Sequence, residues 1–177
     1  MFKSKCTATL ISSRHVLTAA HCLELGDPKT DYKIFIEADY PDWGKESDPR
    51  RLERLIKDVH VHPRYDNDSM YYDLAVIELD QMVELSNQMF PICLPNIQHV
   101  NPMLELNSGR AASIFGFGTE FNEVKYMKIK STAVVDNEYC QSQFDVEKSA
   151  KAKRFMDTQL PKGFDESVMC TYNQVRM

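Results

Sequence analysis

Short apolar runs broken by turn residues recur along the whole chain, and that rhythm leaves few folds open. Thr7 to Ile11 and His15 to Thr18 are β-rich and flank Ser12-Ser13-Arg14, which reads as a hairpin. Tyr32 to Ala38 gives a third strand, followed by a Pro/Asp/Gly-rich loop from Asp39 to Pro49. Leu55 to Val61 puts Val59 and Val61 on one face, because strand side chains alternate. His62-Pro63 then ends that run, since proline has no N–H for a ladder. Leu74 to Leu79 is apolar apart from Glu78, as in a buried strand, and Ala111 to Phe117 and Tyr126 to Val135 supply two more. Helical patterning is confined to Asn137 to Phe144 and the charged stretch from Val146 to Phe155. Many short strands with regular turns imply an all-β barrel or sandwich.

The size of the chain agrees with one such unit. At 177 residues and 43% hydrophobic content it can bury one sizeable core or two small ones. The net charge is -5 and the basic residues are scattered, so the electrostatic footprint of a nucleic-acid-binding surface is missing. No apolar run approaches the roughly 18 residues that cross a bilayer, and no membrane partner is expected. The basic start at Met1 to Lys5 leads into an apolar stretch interrupted by Arg14 and His15, so no signal peptide is read.

Five cysteines, Cys6, Cys22, Cys93, Cys140 and Cys170, lack the CxxC spacing of a zinc or redox motif and suit an oxidised, secreted framework. Any of the five could be the odd one, and each choice leaves three pairings of the rest. Asn67-Asp68-Ser69 fits the N-glycosylation acceptor pattern, which implies an exposed loop in a secreted chain. His60 and His62 share a strand face, but no third metal ligand accompanies them. Glu37, Asp39, Asp42, Glu46 and Asp48 crowd one loop without a fixed calcium-ligand spacing, so a solvated acidic loop is expected there. No metal and no cofactor are expected.

The chemistry concentrates in two segments. The first, Cys6 to Cys22, is strand, turn and strand ending in Thr18-Ala19-Ala20-His21-Cys22. The second is Tyr72-Asp73-Leu74-Ala75-Val76-Ile77-Glu78-Leu79, which places Asp73 at the head of a buried strand. A lone histidine is most often an ordinary half-buried side chain, and a strand-start aspartate most often bonds its own backbone. The Thr-Ala-Ala-His-Cys ending in its strand context, however, resembles the hairpin that carries the catalytic histidine of the trypsin and chymotrypsin family of serine proteases. The second segment resembles the family's Asp-Ile-Ala-Leu-Leu-x-Leu signature, and the order His then Asp is that family's order.

Further motifs agree. Val61-His62-Pro63-Arg64-Tyr65-Asp66 resembles the His-Pro-x-Tyr loop, Pro91-Ile92-Cys93-Leu94-Pro95 the connection between barrels, and Phe115-Gly116-Phe117-Gly118 the Gly-Trp-Gly of the second barrel. The resemblance runs from Cys6 to Cys170 and is interrupted from Val146 to Lys162, where an enlarged surface loop is expected.

The resemblance implies an all-β fold of two antiparallel six-stranded barrels of the chymotrypsin type, in a single domain over residues 1–177. Residues 1–90 form the first barrel, 91–110 the connection and 111–177 part of the second. It implies a Cys6–Cys22 bridge, worth about 3 kcal/mol through loop closure, and a Cys140–Cys170 bridge, with Cys93 left over. It implies a secreted serine endopeptidase acting on protein or peptide substrates and subject to protein inhibitors. His21 would be general base and then acid, and Asp73 would hold its tautomer and stabilise the imidazolium.

Two family features are expected and not found. No serine stands in a Gly-Asp-Ser-Gly-Gly-Pro or other Gly-x-Ser-Gly setting, and no Ile-Val-Gly-Gly start is present, so the sequence reads as truncated at both ends. The rival class is a non-catalytic homologue that uses the scaffold as a protein-binding module. Loss of a triad nucleophile costs on the order of 10⁶ in turnover, and the oxyanion-hole amides beside it are missing as well. The 177-residue polypeptide alone is therefore expected to leave peptide ester and anilide substrates uncleaved, and turnover above the buffer rate would contradict this.

Overall fold

The computed structural model describes residues 6–23, 28–36, 52–87, 89–94, 109–116, 128–147 and 149–172. The acidic loop from Asp39 to Pro49 and the Phe117-Gly118 end of the second-barrel motif lie outside these residues. The chain divides into two compact units. The first takes in Met1–Pro63, Leu74–Leu94 and Phe115–Lys128, and the second Arg64–Asp73, Pro95–Ile114 and Ile129–Met177.

The hairpin read from the sequence is present as β1 (Thr9–Ser12) and β2 (His15–Thr18). Ser12 closes its turn, where its Oγ accepts from the Arg14 N–H at 3.1 Å and meets His15 Nδ1 at 2.8 Å. β3 (Lys33–Ile36), β4 (Leu52–Val61) and β5 (Ala75–Leu79) complete an antiparallel sheet in the order β1-β2-β5-β4-β3. β5 is central because it is the most apolar strand, and its alternate residues Ala75, Ile77 and Leu79 are buried. β2 lies against it with Val16 opposite Ile77 and Thr18 opposite Ala75. Val16, Ile56, Ile77, Leu79 and Val83 form the heart of this core, and Leu79 is fully buried.

Val59 and Val61 share one face as read from the sequence, opposite Ile77 and Ala75, with Val59 half-buried and Val61 exposed. A bulge between Ile56 and Asp58 sets two residues against one, and so brings the buried Ile56, opposite Leu79, to that same face.

The second unit contains most of a three-stranded sheet, β6 (Ala111–Gly116), β7 (Lys128–Val135) and β8 (Cys170–Tyr172), in the order β6-β7-β8. Buried Thr132 is satisfied there by donating to the Tyr172 carbonyl at 2.7 Å. The two helical readings become helices of ten residues, one over Asn137–Val146 and one over Ala150–Gln159. The second fills much of the stretch expected as an enlarged loop. Ser149 caps it by accepting from the Ala152 N–H, and Phe155 stacks on Phe144 of the first. The described strands thus number five and three. Two six-stranded barrels are not closed among the described residues.

Truncation of the fully buried residue, Leu79→Ala, is expected to cost about 2–5 kcal/mol, read as a lower urea midpoint; an unchanged midpoint would contradict this core. Glu78 is held below its ordinary pKa, first by the hydrogen bond from Lys57 at 2.6 Å, and Asp58 is lowered by the Val59 backbone N–H and then by Lys29. Depressed carboxyl values add stability above the unfolded value, about 4 for such groups. That stability is lost as pH falls through the folded values. Melting temperature is expected to drop below about pH 4, less steeply in Glu78→Gln, and identical pH slopes for the two chains would refute the pairing with Lys57.

Candidate active site

His21 is placed by the end of β2. Thr18 is buried opposite Ala75 and its Oγ1 donates to the Thr7 carbonyl at 3.1 Å, which satisfies the polar atom and fixes the strand end. The chain then turns into a short 3₁₀ helix, Ala20–Leu23, with Ala20, Cys22 and Leu23 buried and His21 facing solvent. The Cys6–Cys22 disulfide, with Cα atoms 6.1 Å apart, pins this turn immediately beside the imidazole. His21 Nε2 lies 3.7 Å from the Cys22 sulfur.

Cys6, His21 and Cys22 hold their donor atoms within 4.8 Å of one another, a spacing that would suit a metal. Both sulfurs are spent on the disulfide, however, and a disulfide sulfur is not the thiolate that zinc requires. These residues do not fit a metal centre. His60, the other histidine weighed as a ligand, lies 3.9 Å from Asp58 at the surface, and His62 donates its backbone N–H to the Leu74 carbonyl.

Asp73 lies two residues before Ala75, the first residue of the buried strand β5, and is half-buried. It stands between two anchors. On its C-terminal side the His62 N–H donates to the Leu74 carbonyl at 2.9 Å. On its N-terminal side Tyr72 has φ +53°, a left-handed conformation that costs a non-glycine residue about 1–2 kcal/mol.

Met70 and Tyr71, before Asp73, were not singled out by the sequence. Tyr71 is buried, and its hydroxyl donates to the Gly163 carbonyl at 2.7 Å while accepting from the Lys162 N–H at 2.8 Å. The Met70 N–H donates to the Gln159 carbonyl at 2.9 Å. Tyr72 Oη donates to Glu166 at 3.1 Å, Arg64 reaches the same carboxylate at 3.2 Å, and the Arg64 guanidinium lies 3.9 Å over the Tyr72 ring. Partial burial first, then the bond to Glu166, raises the Tyr72 pKa, so the hydroxyl stays a donor at neutral pH. Gly163 is at φ +77°, and a side chain there would also meet Gln141 at 2.7 Å. The local signal of this cluster is the Tyr71-Tyr72 pair itself.

The Cys140–Cys170 disulfide expected from the family motifs is also formed, with Cα atoms 6.4 Å apart, and Cys93 is free and exposed. Asn67, of the glycosylation pattern, is exposed in the turn between β4 and β5.

The chain is similar to known proteins. The family model described as Trypsin matches residues 1–171. The chain is 29% identical to clotting factor C of Tachypleus tridentatus over 141 residues, covering 76% of this chain and 13% of that protein. It is 32% identical to serine protease filzig of Drosophila melanogaster over 149 residues, covering 80% of this chain and 8% of that protein. It is 34% identical to vitamin K-dependent protein C of Rattus norvegicus over 123 residues, covering 70% of this chain and 25% of that protein. The chain thus spans a quarter or less of the length of these relatives. A family match over nearly all of its residues, joined to a disulfide-pinned Thr-Ala-Ala-His-Cys turn and an aspartate at the head of β5, leads to one conclusion: this chain belongs to the trypsin family of serine proteases.

Proposed function

We propose that the chain supplies the acid–base half of a serine endopeptidase that hydrolyses peptide bonds in proteins. His21 takes the nucleophile's proton and later gives it to the leaving amine. Asp73 accepts from the imidazole Nδ1–H, selects the tautomer that leaves Nε2 free to act as base, and stabilises the imidazolium. A serine nucleophile with its oxyanion-hole amides completes that chemistry, and no serine of this sequence stands in a Gly-x-Ser-Gly setting. The domain runs 1–177, with a first barrel over 1–90, a connection over 91–110 and part of a second barrel over 111–177.

The observation that carries this reading is the β2–β5 register. Thr18 stands opposite Ala75 in an antiparallel pair, so the chain leaving β2 toward His21 and the chain entering β5 from Asp73 use the same end of one sheet. The Cys6–Cys22 bridge removes freedom from one of those two segments before any substrate binds. That is what a general base needs, because proton transfer demands hydrogen-bond reach of a fixed nucleophile. The two disulfides favour an oxidising, extracellular setting, with protein substrates and protein inhibitors as partners.

The second reading, a homologue that binds proteins without cleaving them, has one observation in its favour: no serine of this sequence stands in a Gly-x-Ser-Gly setting. A transcript read past Met177 separates the two, since an in-frame Gly-Asp-Ser-Gly-Gly supports the enzyme and a stop codon the binding module. The His21–Asp73 pair is tested in the chain as it stands. A charge-assisted hydrogen bond deshields its proton, so ¹⁵N-histidine-labelled protein is expected to show a strongly downfield Nδ1–H resonance assigned to His21. Asp73→Asn should remove it, and a resonance that is missing from the unsubstituted chain or survives that substitution would sink the pairing.

A further inference from the structure

We propose that Tyr71 and Glu166 form a positioning clamp that sets where Asp73 stands, a role that rests on the reading of Asp73 as the residue orienting His21. The juxtaposition behind it is the segment Arg64–Asp73 laid along residues 159–166, all within the second unit. Neither residue touches the reacting atoms. They act through the backbone that presents Asp73.

The clamp is built in two tiers. The first is Tyr71, whose ring is buried and whose hydroxyl is used twice, as donor to the Gly163 carbonyl and as acceptor from the Lys162 N–H. A hydroxyl bonded in both senses to consecutive residues of a second segment fixes distance and direction together. A purely apolar contact fixes neither. The Met70 N–H to Gln159 carbonyl bond continues the same docking line. The second tier is Glu166, which accepts from Tyr72 Oη and from Arg64, while the Arg64 guanidinium covers the Tyr72 ring.

Glu166 is itself held by its turn. Asp165 Oδ1 accepts from both the N–H and the hydroxyl of Ser167, and Asn137 Nδ2 donates to the Asp165 and Val168 carbonyls. The acceptor for Tyr72 is therefore presented by an ordered turn.

The backbone explains why the clamp bears on Asp73 in particular. Tyr72 is the sole non-glycine residue at positive φ among the described residues, and a bulky residue keeps that conformation only when its surroundings over-determine it. Tyr71 and the Tyr72–Glu166 bond supply that determination on one side, and the His62–Leu74 bond supplies it on the other. Asp73 is the one residue between. Released from the clamp, Tyr72 relaxes to an ordinary φ and turns the peptide that leads into Asp73.

The test uses the ¹⁵N-labelled 177-residue chain with two readouts. Exchange of the Lys162 amide reports on the clamp itself, since that N–H is bonded to Tyr71 Oη. The downfield His21 Nδ1–H resonance reports on Asp73. In Tyr71→Phe the Lys162 amide is expected to exchange about ten-fold faster, and the His21 resonance to broaden and move upfield toward the Asp73→Asn spectrum. The Leu79 amide, bonded to the Arg14 carbonyl in the first unit, should keep its rate. Glu166→Gln keeps an acceptor for Tyr72 but removes the charge facing Arg64, so it should shift the His21 resonance in the same direction by a smaller amount.

Faster Lys162 exchange with an unchanged His21 resonance would reduce the clamp to a structural contact and overturn the proposal. If Tyr71→Phe does not fold, the exposed Glu166→Gln decides alone, and an unmoved resonance there also overturns it. A resonance absent from the unsubstituted chain, or persisting in Asp73→Asn, identifies failure of the Asp73 reading, and the positioning role falls with it.

Discussion

The backbone ladder between β2 and β5 is the interaction on which the rest of the first unit depends. It sets Val16 against Ile77 and Thr18 against Ala75, and so buries the apolar face of both strands in one step. Each neighbouring element then adds to a surface that already exists. β4 pairs along the far side of β5, β1 folds back on β2 through the Ser12 turn, and Val83 is drawn in by the bond from its N–H to the Ser13 carbonyl. A one-residue slip of β2 would bring Leu17 and His15 inward and turn Val16 and Thr18 out, which the burial of Thr18 against Thr7 does not permit.

That ladder also sets which strand ends lie together. Because the strands are antiparallel, the C-terminal end of β2 and the N-terminal end of β5 coincide, and these are the ends that carry His21 and Asp73 on short leads. The two leads are restrained by different means. The histidine lead is pinned covalently through Cys22, whereas the aspartate lead is held by hydrogen bonds on both sides, from Tyr71 and Tyr72 before it and at Leu74 after it. A disulfide acts by restricting the unfolded chain, while a buried hydroxyl bonded twice acts by the cost of leaving its partners unpaired. The first is tolerant of its surroundings, and the second depends on all of them.

The places where local reading and structure part company have identifiable causes. The helix expected from Val146 onward is present, but its boundary follows the Ser149 cap, and Phe155 stacks on Phe144, a contact no periodicity count supplies. Alternation put Val59 and Val61 on one face but left Ile56 off it, because the bulge that adds Ile56 to that face leaves no mark such as glycine or proline. Within Arg64–Asp73, the pattern at Asn67-Asp68-Ser69 implies an exposed loop. The segment is exposed at Asn67, and at Tyr71 it is also a buried anchor.

The sequence by itself determined the strand-rich class, the β1–β2 hairpin, the buried β5 and the candidate residues His21 and Asp73, because each is written in contiguous residues: alternation, turn chemistry and short motifs act over one or two turns of chain. It also carried, through its family motifs, the two disulfide pairings that composition left open. Only the tertiary structure decided the β2–β5 register, the bulge that turns Ile56 inward, and the docking of Tyr71 onto residues 159–163. Those depend on partners tens of residues away, and a hydrogen bond of that kind is specified by where two segments meet in space, which no local pattern encodes.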